Sequence, residues 1–143
     1  MTQTLAPKAA ETLATWHKLV AAHDLTGLPA IVRPDAVFRS PMAHTAYTPA
    51  AALVMALQTV ITVFEDFKYH REFVGDEGRS VVLEFSARIG DKSLKGIDII
   101  RFDDDGLIAE FEVMIRPLSG LQALGAAMGA KLGDKLPAFK AGA

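Results

Sequence analysis

The sequence predicts an α+β domain in which three helices precede a curved, mostly antiparallel sheet and a fourth helix follows it. Three observations carry that prediction. Apolar residues recur at spacings of three and four as far as Phe64, whereas from Phe67 to Ile115 they largely alternate with polar ones. The stretch Lys95–Pro117, KGIDIIRFDDDGLIAEFEVMIRP, reads as two extended runs about a tight acidic turn. Helices first and strands afterwards, without strict alternation of the two, is the order of an α+β chain.

Taken in order, Pro7 suits a helix start and introduces Lys8–His23, where Leu13, Trp16 and Val20 fall at spacings of three and four. Asp24 is placed to cap a short second helix, Leu25–Val32, which Arg33-Pro34-Asp35 ends. Ala36–Ser40 reads as a brief strand and Pro41–Tyr47 as a loop. Thr48 and Pro49 suit the N-cap and first position of a third helix, Ala50–Phe64, whose apolar positions include Leu53, Leu57 and Ile61. A meander of four strands follows: Phe67–Val74, Ser80–Ile89, Leu94–Phe102 and Leu107–Ile115. Turns at Gly75–Gly78, Gly90-Asp91 and Asp103–Gly106 join them, with Gly106 where a left-handed backbone is often needed. Leu118–Leu132 is helix-like, weakened by Gly120, Gly125 and Gly129. Its Leu118, Leu121, Leu124 and Met128 need a surface to cover, as a lid or as a dimer seam. Residues 133–143 read as a loose tail.

The 143 residues fit a single domain spanning 1–143, and half of them are hydrophobic. A net charge of −2 gives no electrostatic footprint for nucleic acid or an anionic membrane. The absence of cysteine excludes disulfides and thiolate metal sites. MTQTLAPKAAE lacks a charged region followed by a long apolar core, so no signal peptide is expected. Ala50–Phe64 is too short and too interrupted to span a bilayer, which makes a cytoplasmic protein the default expectation. The histidines His17, His23, His44 and His70 lack metal-ligand spacing, and the acidic turn reads as solvated. With no phosphate loop, nucleophile elbow or Cys–His pair either, neither a metal nor a cofactor is expected.

One residue carries most of the chemical signal. Leu94, Gly96, Asp98, Ile100 and Phe102 share a strand face, which puts the Asp98 carboxylate among large apolar side chains. Such a carboxylate is costly when ionised unless paired, and burial tends to raise its pKa. Either it lies at the sheet margin, exposed or paired with Arg101, or it is an acid facing a pocket. Strand parity predicts an apolar wall that includes Phe85, Phe111, Val113 and Ile115, while Glu110 and Glu112 lie on the opposite face.

The order of elements, and above all GIDIIRFDDDGLI, resembles the bacterial ketosteroid isomerases of the NTF2-like (SnoaL-like) superfamily. The tail RPLSGLQALGAAMGAKL is similar to uncharacterised bacterial SnoaL-like proteins. The resemblance covers about residues 9–117 and implies a cystatin-like cone whose pocket lies between sheet and helices. It implies that Asp98 matches the neutral oxyanion-hole aspartate, and that Trp16 stands where that site has a tyrosine. An indole donates a hydrogen bond but is no acid. Ser40, before Pro41, stands where the isomerases have their general base, and a serine hydroxyl is no base near neutral pH without a helper. Steroid isomerisation by that mechanism is therefore not expected. His44, in the following loop, is the candidate replacement base, and Phe38, Ser40, Met42, Tyr47 and Trp16 are candidate ligand contacts.

Three functions fit these readings. The first is an isomerase, cyclase or hydratase acting on a small apolar carbonyl compound, with Asp98 as acid. The second is a non-catalytic module binding the same kind of molecule. The third is a dimeric structural domain with a filled cone. Homodimerisation is expected through Ile97, Ile99 and Met114 on the outer sheet face.

Overall fold

The computed structural model describes residues 3–133 and 135. Helix α1, Pro7–Ala21, opens with proline at its first position and buries Ala9, Leu13 and Trp16 along one stripe. It ends in a Schellman motif: the N–H of Asp24 bonds the carbonyl of Leu19 and that of His23 bonds Val20, with His23 at φ 57°.

No α-helix follows at 25–32. A single 3₁₀ turn, Leu28–Ile31, takes its place, because Pro29 cannot donate within a longer helix. Asp24 accepts from the backbone and hydroxyl of Thr26 instead of capping a helix. Strand β1, Val32–Arg39, therefore begins earlier than the sequence suggests and runs through Arg33-Pro34-Asp35 with a register shift. Helix α2, Ala50–Val60, has Pro49 rather than Thr48 before its first turn. Thr48 directly follows Tyr47, whose backbone is tied to Phe38 in an isolated bridge, so the chain there is still extended. The helix stops short of Phe64 within a run of β-branched residues, Thr59–Val63.

Strands β2 (Glu65–Gly75), β3 (Ser80–Ile89), β4 (Lys92–Phe102) and β5 (Ile108–Arg116) form the antiparallel meander. β1 lies parallel to β5, giving one mixed sheet in the order β1-β5-β4-β3-β2. At the β4–β5 turn Gly106 has φ +82°, and a Cβ there would meet the Lys8 backbone at 2.6 Å. Asp103 accepts from the N–H groups of Asp105 and Leu107, so this acidic residue closes its own turn. The last helix, α3, occupies Leu118–Leu132. The described chain thus has three α-helices rather than four, two before the meander and one after it.

Burial follows strand parity. On β4, Leu94, Gly96, Asp98, Ile100 and Phe102 are buried, while Ile97 and Ile99 on the outer face are half-buried. The main core joins α1, α2 and this inner face through Trp16, Leu53, Leu57, Leu83 and Phe111. Gly96 is required by a close approach: a Cβ would lie 2.5 Å from the carbonyl of Met114 and 2.6 Å from the Phe85 ring. None of the described helices is long and apolar enough to cross a membrane. The expected loose tail lies, apart from Gly133 and Lys135, outside the described residues.

Candidate functional site

Between the inner sheet face, α1, α2 and α3 lies a cavity of about 740 Å³, within the range of small-molecule sites. Its wall is largely apolar and aromatic, with Trp16, Phe38, Tyr47, Phe64 and Phe67 contributing rings. Helix α3 closes one side with Leu124, Met128 and Leu132. A Cβ on Gly125 would touch the flexible end of Met42 at 2.6 Å, so that loop and that helix meet beside the cavity.

Asp98 lies on this wall with only 6% of its surface exposed. Its hydrogen-bond partner among the described residues is the Tyr69 hydroxyl, 2.5 Å from Oδ2. Tyr69 reaches it diagonally across β3, because Tyr69 pairs with Phe85 whereas Asp98 pairs with Leu83. The same hydroxyl accepts from Trp16 Nε1 at 3.0 Å. Burial is the larger influence on Asp98 and raises its pKa to about 7, against the opposing pull of the Tyr69 hydrogen bond. Burial and the neighbouring carboxylate hold the Tyr69 phenol well above its ordinary range. Arg101 does not pair with Asp98; it points to the outer face and meets Glu110 at 3.1 Å.

Of the residues singled out in the sequence, Trp16, Phe38, Ser40, Met42, Tyr47, Asp98, Val113 and Ile115 line this one cavity. Phe85 and Phe111 stand behind it. Phe85 stacks under Phe67 at 5.1 Å, and Phe111 meets the edge of Trp16 at 5.2 Å. His44 is exposed and does not line the cavity, because the loop turns back to pair Tyr47 with Phe38 and leaves its middle outward. Ser40 Oγ accepts the Met42 N–H at 3.0 Å, which commits it to a turn.

Tyr69 is the site residue that the sequence reading passed over. Its signal was present in the alternation Phe67-Lys68-Tyr69, which puts both rings on the inner face. His17 also lines the cavity, its ring edge-on to Tyr69 at 5.3 Å and its Nε2 3.4 Å from Glu72. No group of three described His, Asp or Glu side chains is arranged to hold a metal ion. Chemically, the site offers a desolvated acid that changes charge near neutral pH, inside a largely apolar chamber.

Comparison with known proteins agrees with this architecture. Residues 13–111 match the model of the SnoaL-like domain. The structure of a steroid delta-isomerase from Pseudomonas aeruginosa is 61% identical, covers 95% of this chain and 99% of its own, and superposes with a TM-score of 0.90. A protein with a cystatin-like fold from Silicibacter pomeroyi is 30% identical over 90% of this chain and 91% of its own, with a TM-score of 0.80. SalBIII, an epoxide hydrolase/cyclase-like enzyme of pyran ring formation in salinomycin, shares the fold at 17% identity, covering 78% of this chain and 92% of its own, with a TM-score of 0.63. No curated protein matches the chain.

Proposed function

Because the chain belongs to the SnoaL-like family, we propose that it is a small-molecule enzyme whose Asp98 acts as a neutral acid on an apolar carbonyl compound. The observation that carries this reading is the position of Asp98: buried, touched by one hydroxyl, on the wall of a 740 Å³ cavity. An acid with a pKa of about 7 is half protonated at neutral pH, the condition under which a group both gives and regains a proton readily. A proton or hydrogen bond delivered to a carbonyl oxygen draws electron density from the carbon. Isomerisation through an enol, addition of water and ring closure all use that polarisation.

The Pseudomonas relative's name makes steroid double-bond isomerisation one candidate reaction. That reaction also needs a base, and Ser40 has its hydroxyl in a turn. His44, the expected replacement base, does not line the cavity, which supports a second reading: a binding module in which Asp98 only fixes ligand orientation. A homodimer through the outer sheet face, where Ile97 and Ile99 are half-buried and Met114 is exposed, belongs to both readings.

Native mass spectrometry after exposure to a metabolite extract, against a buffer control, is the test. A retained neutral carbonyl compound that the wild type converts and Asp98→Asn binds without converting supports the enzyme. Retention without conversion by either supports the binding module. Empty protein across several extracts overturns both.

A further inference from the structure

We infer that Trp16 and Tyr69 act together as positioning residues that place the proton of neutral Asp98 on its cavity-facing oxygen, so that this three-residue chain presents its one free donor from Asp98. The inference rests on the proposed role of Asp98 as a neutral acid. Its argument is one of hydrogen-bond polarity. An indole N–H can only donate. At 3.0 Å from Trp16 Nε1, the Tyr69 oxygen must therefore accept. The hydroxyl has one hydrogen left, and its remaining close partner is Asp98 Oδ2 at 2.5 Å. Oδ2 is thus an acceptor. A neutral Asp98 then carries its proton on Oδ1, which has no partner among the described residues and belongs to a side chain lining the cavity.

With the polarity reversed, Asp98 would donate to Tyr69 and the phenolic hydrogen would need another acceptor. None is bonded to it among the described residues, and leaving a donor unmade in apolar surroundings is costly. The donor-only indole and the lack of another bonded acceptor for the phenolic hydrogen among the described residues together set the direction of the chain.

This wiring narrows the ligand. Trp16 spends its N–H on Tyr69, and Tyr69 spends its hydrogen on Asp98, so of these three residues only Asp98 has a donor to offer the ligand. No lysine or arginine lines the cavity among the described residues, so a carboxylate or phosphate would find no permanent cation there. The compound that fits is uncharged and largely apolar, with an oxygen acceptor placed at Asp98. The other titratable groups on the wall are Tyr47, His17 and His23, and Asp66, whose carboxylate is held by Arg88 at 2.7 Å.

The test needs no ligand, so it can fail independently of the proposed function. The Asp98 carboxyl carbon is titrated by ¹³C NMR, its resonance assigned by its loss in Asp98→Asn. Tyr69→Phe removes the donor to Oδ2 and is expected to weaken Asp98 as an acid by roughly tenfold or more. Trp16→Phe removes the donor that polarises Tyr69 and is expected to move the midpoint the same way by less. Replacing both tyrosines of the chain with 3-fluorotyrosine keeps the shape, makes the phenol a stronger donor and is expected to lower the midpoint. A merely structural tyrosine would not give opposite shifts. An unchanged or lower midpoint in Tyr69→Phe, or an unchanged one with fluorotyrosine, overturns the role of Tyr69. A Trp16→Phe midpoint equal to the wild type overturns that of Trp16.

Discussion

Adjacent strands carry two carboxylates of equal exposure and opposite character. Glu84 on β3 and Asp98 on β4 are each 6% exposed, but they face opposite sides of the same sheet. On the outer side, Arg71 clamps Glu84 through both its oxygens at 2.9 and 2.7 Å, and Lys95 adds a third contact at 3.0 Å. Hydrogen bonds from Arg71 and Lys95 hold Glu84 far below the usual carboxylate range. On the inner side, Asp98 has a neutral hydroxyl and a desolvated chamber, and its pKa rises to about 7. Burial is common to both. What differs is whether the buried charge is given a countercharge, and that decides which group is structural and which is available for proton chemistry.

The largest expected effect comes from removing the two charges separately and comparing stability across pH. Asp98 binds its proton more tightly in the folded chain than in the unfolded one. Its contribution is therefore complete below about pH 4 and is lost as pH rises towards 7. Relative to Asp98→Asn, the wild type should lose stability at up to about 1.4 kcal/mol per pH unit across that window, on the order of 4 kcal/mol in all. Glu84 has the opposite sign. Its folded pKa is depressed, so its contribution is present above about pH 4.5 and fades as pH falls below it. Glu84→Gln should cost stability at pH 7, and the cost should shrink in acid and in high salt. Denaturant unfolding at several pH values checks both; slopes of the same sign would break the comparison.

A second prediction tests whether desolvation is the cause. Leu124, 3% exposed, belongs to the helix that closes the cavity side. Leu124→Ala should cost about 2–4 kcal/mol. By admitting water to the chamber it should also bring the Asp98 midpoint down towards the ordinary carboxylate value, as read by ¹³C NMR. A midpoint unmoved in a destabilised protein would mean that something other than dryness sets it.

Much of this contrast was legible in the sequence, for a physical reason. Strand side chains alternate, so placing Phe111, Val113 and Ile115 on one face, and Asp98 with Ile100 and Phe102 on another run, needs only local parity. The bounds of α3 at Leu118 and Leu132 were legible too, because Pro117 precedes that helix and Gly133 follows it. Tyr69 was harder. It meets a carboxylate 29 residues away, over an intervening strand and on a diagonal that follows from register rather than composition. The apolar spacing of Leu25–Val32 suggested a helix, but Pro29 has no N–H to donate within one and the segment makes a single 3₁₀ turn. His44 had suitable chemistry, but the bridge between Phe38 and Tyr47 turns its loop outward.

The smallest expected effect concerns how tightly α3 sits over the Asp98 side. Two of its glycines make opposite demands. At Gly120 a Cβ would lie 2.7 Å from the Leu94 Cβ and 3.2 Å from the Ser93 carbonyl, so the helix approaches β4 only because that residue has no side chain. Gly120→Ala should destabilise, since the overlap outweighs the gain in helix propensity. At Gly129 a Cβ meets nothing within 4 Å. Gly129→Ala should therefore stabilise by up to about 1 kcal/mol and leave the Asp98 midpoint in place. Thermal unfolding of the two variants beside the wild type separates these outcomes. If Gly129→Ala destabilised as Gly120→Ala does, the open space opposite Gly129 would have to be filled in solution, and α3 would owe its position over the acid to that contact.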